Sequence, residues 1–182
     1  MKAANKKSIL VFMNPHPLSS AESVAGVIFN LERTAVLLIL RRDVPVWVLP
    51  GGGVDKGELP QDAMVREILE ETGLTVKAER LVGVYTPINR LARKTKLYEC
   101  TTVSGSLCLS NETKGVSFFN LTELPPLPPP YREWIEDAKK MGPILLKPLT
   151  SVTYSSLFWN LLRHPILVIR FLLARMGFSI NS

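Results

Sequence analysis

The stretch Gly52–Leu74 reads GGVDKGELPQDAMVREILEETGL, a glycine-rich turn that runs into a helical pattern. Pro60 suits the first turn of a helix, where its missing N–H is not needed, and Gly73 is a C-terminal stop signal. Met64, Val65, Ile68 and Leu69 recur at helical spacing as an apolar stripe, and Glu67, Glu70 and Glu71 share the adjacent face. Packing of the stripe is therefore expected to anchor the helix and present the acids outward. Residues three and four apart on a helix are neighbours, so these carboxylates repel one another. A divalent cation among them would relieve that repulsion, and the pattern predicts a metal site.

Outward from this segment, the pattern predicts strands. Glu22–Leu31 is rich in Val, Ile, Phe and Ala, and Thr34–Leu40 is a near-continuous apolar run, as expected of a strand buried on both faces. Val46–Leu49 is a third short strand, stopped by Pro50 and by Gly51, Gly52 and Gly53. Those glycines leave the backbone free to approach a ligand closely. Downstream, Leu81–Tyr85, Lys96–Val103 and Val116–Phe119 read as strands, with a basic loop from Arg90 to Lys96. Leu124–Pro130 (LPPLPPP) must run extended, and Tyr131–Lys140 reads as a short amphipathic helix. The organisation expected is a lead-in over residues 1–20, one domain over 21–140 and an apolar helical extension over 141–182.

A chain of 182 residues with 46% apolar and 21% charged residues suits one full globular core. The net charge of +6 favours anionic partners. Cys100 and Cys108 do not make a disulfide scaffold, and both are expected to be buried reduced thiols in strands. His16 and His164, the only histidines, have no ligand-like spacing with them, which argues against zinc. Ile9–Met13 is too short for a signal-peptide core. The sequons at Asn111 and Asn120 are read as accidental, and the protein as intracellular and cytoplasmic.

In the extension, Leu157–Phe178 is strongly apolar but interrupted by Arg163, Pro165, Arg170 and Arg175. As a helix, Pro165–Met176 is only about 18 Å long. Three readings stay open: helices packed on the domain or on a second copy in a homodimer, a peripheral helix on a membrane surface, and a membrane span.

Gly52, Glu58, Arg66-Glu67-Ile68, Glu70-Glu71 and Gly73-Leu74, at the spacing they have here, resemble the complete Nudix box. Its flanks, Trp47-Val48-Leu49-Pro50-Gly51-Gly52 before and Val116-Ser117-Phe118-Phe119 with Glu123-Leu124-Pro125 after, are similar to those of that family. The resemblance covers roughly residues 20–140. It implies an α/β/α sandwich with a mixed central sheet, a helix on each side, and hydrolysis of a nucleoside diphosphate linked to another moiety, such as ADP-ribose. A nucleoside triphosphate pyrophosphohydrolase, cleavage at an RNA 5′ end and a non-catalytic nucleotide-binding module are the alternatives. Nucleic acid is not the expected partner; a nucleotide-type small molecule is.

The implied metal is Mg²⁺ or Mn²⁺, held by Glu67, Glu70, Glu71 and the carbonyl of Gly51. Hard cations of this kind take oxygen ligands and keep room for water and phosphate. The resemblance further implies that Arg66 orients a glutamate and that Glu58 supports the turn or reaches metal through water. The base is Glu70, Glu71, or Glu112 in the loop before the last strand. Arg41 and Arg42 at a strand end, and Arg90 with its basic neighbours, are candidates to meet phosphates; Tyr85, Trp47 and Phe119 are candidates to stack on a base. Pro87 and Asn89 lie thirteen and fifteen residues past Leu74. They match only loosely the proline that some ADP-ribose-cleaving relatives carry there.

Overall fold

The computed structural model describes residues 22–163 and 165–175. The chain begins with β1 (Glu22–Ile28), β2 (Ala35–Arg41) and β3 (Trp47–Val48), followed by α1 (Pro60–Thr72). Next come β4 (Leu74–Pro87), β5 (Lys94–Gly105), β6 (Thr113–Asn120), α2 (Tyr131–Lys139) and β7 (Leu145–Leu149). Two short helices close it, α3 (Tyr154–Arg163) and α4 (Pro165–Arg175).

The strands form a four-stranded sheet in the order β1-β5-β4-β7 and a three-stranded sheet in the order β3-β2-β6. The larger sheet is mixed: β1 runs parallel to β5, β4 antiparallel to β5, and β7 parallel to β4. β2 is antiparallel to both β3 and β6. An antiparallel bridge between Ser23 and Gly53 brings the glycine turn against the start of β1.

Strand alternation explains why two helices are needed. In β1, Val24 and Ile28 pack with Ala63, Met64 and Ile68 of α1, whereas Ala25 and Val27 pack with Trp134, Ile135 and Ala138 of α2. β2 does the same: Leu37 faces the α1 cluster, and Val36 and Leu38 face the α2 cluster. A strand with no polar face needs a cover on each side, so the continuous apolar run at 34–40 carried the layered architecture. Each such side chain, once fully buried, contributes about 2 kcal/mol.

α1 spans the predicted residues, with Pro60 in its first turn and Gly73 at φ 76° closing it by donating its N–H to the Leu69 carbonyl. Only part of its predicted stripe is core: Met64 and Ile68 are buried, while Leu69 is 46% exposed. β4 follows the helix at once and is far longer than the segment 81–85, because Lys77, Glu79 and Arg80 lie on a strand that buries only alternate residues. Cys100 is buried in β5 as expected, but Cys108 is exposed and lies outside any strand.

The extension expected to be helical from Met141 opens instead with a strand. β7 adds to the edge of β4 and sends Lys147 to the buried Asp137 of α2, Nζ to Oδ2 2.8 Å. Thr153 caps α3 by accepting the Ser156 N–H at 3.0 Å, and its own N–H donates to the Ser156 hydroxyl at 3.1 Å. Among the described residues no helix is long and apolar enough to cross a membrane, which removes the spanning reading for them. The lead-in over residues 1–20 and both histidines lie outside the described residues.

Candidate active site

The turn, α1 and the loop before β6 meet at one edge of the sheets. The Gly52 carbonyl accepts the Val24 N–H at 2.9 Å, which pins the turn to β1. A Cβ on Gly52 would sit 2.4 Å from the Glu67 carboxylate, so only glycine lets that acid lie against the turn. Beside it, the Gly51 N–H donates to Glu71 Oε2 at 2.8 Å. Two carboxylates thus share one short piece of backbone.

Arg66 builds the outer wall. Its Nε and Nη2 donate to the two oxygens of Glu58, each at 2.9 Å, and Nη2 also reaches the Gly53 carbonyl at 3.2 Å. Nη1 donates to Glu67 Oε1 at 3.0 Å. One planar guanidinium therefore fixes the turn and aims a glutamate at once, which a point-charge ammonium could not do. Glu58 further accepts the Asp55 N–H at 3.0 Å and, gripped by Arg66, is held down to about 2. Of its two expected roles, these contacts are those of turn support.

The acids do not all point outward, contrary to expectation. Glu71 is 5% exposed, and the Glu67 side chain is 14% exposed. Glu70 alone stands at the surface, 59% exposed, 3.5 Å from Arg66 Nη1. The reason is the position of the turn, which folds back over the helix face that the sequence left open to solvent. Among the described residues no three acidic, histidine or cysteine side chains enclose a point by themselves. The trio expected to converge is a buried Glu71, a partly buried Glu67 and an exposed Glu70.

Burial pushes Glu71 up to about 8; the Gly51 N–H opposes the rise, and the negative charges of Glu67 and Glu112 add to it. Glu67 is also raised, by burial first, with Arg66 opposing and Glu70 and Glu112 adding. Both groups are short of positive charge. An all-oxygen, anionic, under-compensated donor set of this kind fits Mg²⁺ or Mn²⁺.

Glu112 lies close enough to raise both acids, and its placement is built. Thr113, fully buried, donates its hydroxyl to the Glu71 carbonyl at 3.2 Å and accepts the Ser110 N–H at 2.9 Å. This anchors the loop to the end of α1 and leaves Glu112 exposed beside it. Arg42 serves the same loop: its N–H donates to the Glu112 carbonyl at 2.8 Å, and its guanidinium to the Thr113 carbonyl at 3.1 Å. The predicted phosphate contact is thus a loop clamp here. Arg41 is paired with Asp43, Nε to Oδ1 2.9 Å, and its charge is felt at Glu71.

Tyr85 is not a stacking platform. It is completely buried, donates its hydroxyl to Asp137 at 2.9 Å and packs on Trp134 with ring centroids 5.3 Å apart. The segment 81–85 alone does not show its inward register, which the full length of β4 from Leu74 to Pro87 sets. Trp47 and Phe119 pack edge to face at 4.6 Å against the α2 cluster. Arg90 is exposed on the loop between β4 and β5. Its neighbour Arg93 comes nearer the site, with Nη1 3.6 Å from where a Gly53 Cβ would be. Lys94 and Lys96 are drawn to Glu22 instead.

Sequence reasoning missed Thr113 and Asp43. Thr113 stands within Asn111-Glu112-Thr113, where the sequence suggests an accidental sequon and a loop carrying Glu112 but no role for the threonine itself. A hydroxyl one residue after a candidate acid, at a strand start, was the available signal.

Comparisons with known proteins bear on the same residues. A NUDIX domain is matched over residues 20–138. An ADP-ribose pyrophosphatase of Methanocaldococcus jannaschii is 33% identical over 143 residues, covering 75% of this chain and 80% of the relative. A Bacillus subtilis protein provisionally named 8-oxo-dGTP diphosphatase is 38% identical over 101 residues, or 56% of this chain and 68% of that one. The crystal structure of an ADP-ribose pyrophosphatase from Streptococcus suis superposes with a TM-score of 0.60 at 25% identity, covering 71% of this chain and 99% of that one. The matched residues 20–138 include the turn, α1 and the Glu112 loop. The chain belongs to the Nudix family, and it is a hydrolase acting on phosphoric anhydride bonds.

Proposed function

We propose that the protein hydrolyses a nucleoside diphosphate linked to another moiety, ADP-ribose-like in character, in a reaction that depends on Mg²⁺ or Mn²⁺. The products are a nucleoside monophosphate and the phosphorylated second moiety. The observation that carries this reading is the buried Glu71 and the partly buried Glu67 held side by side against the glycine turn, Glu71 on the Gly51 N–H and Glu67 against Gly52, both raised by their burial.

Glu67, Glu70, Glu71 and the Gly51 carbonyl are the groups that would hold the ion. A bound dication there neutralises diphosphate charge and acidifies a water. Arg66 keeps Glu67 in place while substrate charge enters and leaves. Glu112, exposed beside the pair, takes the proton as the water oxygen bonds to phosphorus and the bridging P–O bond breaks. Arg93 and Arg90, on the same side as the turn, supply positive charge for the distal part of the substrate. Arg41 and the Asp43 that holds it set the potential behind Glu71. The enzyme is taken to act in the cytoplasm.

The ADP-ribose-like class is supported by two relatives named for that activity. A nucleoside triphosphate pyrophosphohydrolase is the second reading, favoured by the Bacillus relative. A panel of ADP-ribose, other nucleotide-linked diphosphates and nucleoside triphosphates, assayed with Mg²⁺ for released monophosphate or pyrophosphate, separates them. Turnover confined to triphosphates would replace the first reading with the second, and no turnover on any member would refute both.

A further inference from the structure

We infer that the segment after the family-matched residues 20–138 is part of the working enzyme: α4 braces the β2–β3 loop, and Arg170 is a positioning residue for Arg41 and the Glu112 loop. The inference rests on the roles given above to Arg41 and Glu112. Groups that must be held to a fraction of an ångström depend on the contacts behind them. Here those contacts come from outside the matched domain.

The β2–β3 loop reaches the site and α4 through successive residues. Arg41 ends β2 and is the cross-strand partner of Thr113, whose hydroxyl donates to the Glu71 carbonyl at 3.2 Å. Arg42 donates its N–H to the Glu112 carbonyl at 2.8 Å. Asp43 turns the chain: its Oδ1 accepts Arg41 Nε at 2.9 Å and the Val44 N–H at 2.7 Å. The Asp43 carbonyl accepts Arg170 Nε at 3.0 Å from α4. A displacement of Asp43 therefore moves Arg41 through its side chain and Glu112 through the adjoining peptide. On either side of this bond the covering is apolar, since Val44 and Val168 are buried while Ile166 and Ile169 stay exposed.

A second loop at the site is tied to the same segment. Asn89 donates Nδ2 to the Val152 carbonyl at 2.6 Å, and its Oδ1 accepts the Leu91 N–H at 2.8 Å. Asn89 lies in the β4–β5 loop with Arg90 and Arg93. Residues beyond 150 thus hold two loops that bring arginines to the site, at Val152 before α3 and at Arg170 within α4.

The test uses the full chain with Mg²⁺ and ADP-ribose, or the panel member that the wild type turns over. Arg170→Ala should lower kcat per folded molecule about tenfold, with KM within about twofold. Arg170→Lys can still donate to the Asp43 carbonyl and should recover most of the rate. Ile169→Ala, at an exposed neighbour on α4, should leave the rate unchanged. Because Arg170 acts in part through Arg41, adding Arg170→Ala to Arg41→Ala should cost only about threefold. Amide hydrogen exchange over residues 42–46 and 110–113 should quicken in Arg170→Ala and not in Ile169→Ala. Unchanged exchange in Arg170→Ala would overturn the inference, as would the full loss of rate recurring in the Arg41→Ala background. If Arg41→Ala is slow and Arg170→Ala is not, the inference alone fails; if neither is slow, the role given to Arg41 fails with it.

Discussion

Two pairs of acids withdrawn wholly or partly from solvent sit on opposite sides of the larger sheet, and they are treated in opposite ways. On the α2 side, Glu99 is met by Arg33 and by Arg80 at 2.8 Å, and Asp137 by Lys147, by Lys140 and by the Tyr85 hydroxyl. Burial alone would raise Asp137, but these partners more than offset it and hold the carboxyl below its usual range. On the α1 side, Glu67 has one arginine shared with Glu58, and Glu71 has one backbone N–H. Both are pushed up. Matched burial makes a brace between α2, β4 and β7; unmatched burial leaves a demand for positive charge that a dication and its substrate can meet.

The comparison breaks most visibly at Glu71. Glu71→Gln is expected to lower kcat by about 10³-fold, or ~4 kcal/mol of barrier, while the metal-free protein melts at the same or a higher temperature. Steady-state rates with Mg²⁺, alongside calorimetric melting, check both halves. Asp137→Asn should do the reverse. It leaves Lys147 beside a neutral group and costs about 2–3 kcal/mol of stability, with turnover per folded molecule within about twofold; urea unfolding and active-site titration measure this.

How far this contrast could be read in advance differs between the two sides. Glu67, Glu70 and Glu71 announce themselves through helical spacing, and the box places the turn, the helix and its two caps to the residue. The apolar run at 34–40 likewise implies a cover on each face, hence α2. Hidden from the sequence was everything set by register. Asp137 and Glu99 have no local pattern that marks them as buried, because their partners Lys147, Arg33 and Arg80 arrive from elements ten to 66 residues away. Tyr85 went to the wrong side of the wall for the same reason: which face a strand residue takes depends on where the strand starts. The inward position of Glu71 depends on the glycine turn folding over it, a tertiary event that amphipathicity along one helix cannot express.

pH sharpens the comparison, since the two sides carry opposite signs. The folded pKa of Glu71 lies above its ordinary value of 4.5, so its share of stability is present below about pH 4.5 and is lost as pH rises toward 8. Asp137 is depressed, so its share is present above its ordinary 3.8 and lost as pH falls through the lower folded value. Metal-free wild-type protein should therefore lose on the order of 5 °C of melting temperature between pH 5.5 and 8 relative to Glu71→Gln. Differential scanning calorimetry at matched ionic strength gives the answer.

A smaller effect is expected from the loop. Thr113→Val removes the hydroxyl that ties the Glu112 loop to the end of α1, and kcat should fall by about tenfold with little change in KM. Glu112→Gln should lower kcat by a larger factor, again with little change in KM. If Thr113→Val changes only stability, the loop is structural and the base lies elsewhere.

The central claim is that the under-compensated acids at the turn are a divalent-cation site. Titration calorimetry of Mn²⁺ into the protein at pH 8, with and without a non-hydrolysable ADP-ribose analogue, addresses it most directly. The account predicts uptake by the wild type, weaker at pH 6 because Glu71 must first lose its proton, and little or none by Glu71→Gln. Equal uptake by wild type and variant, or none by either, would contradict it.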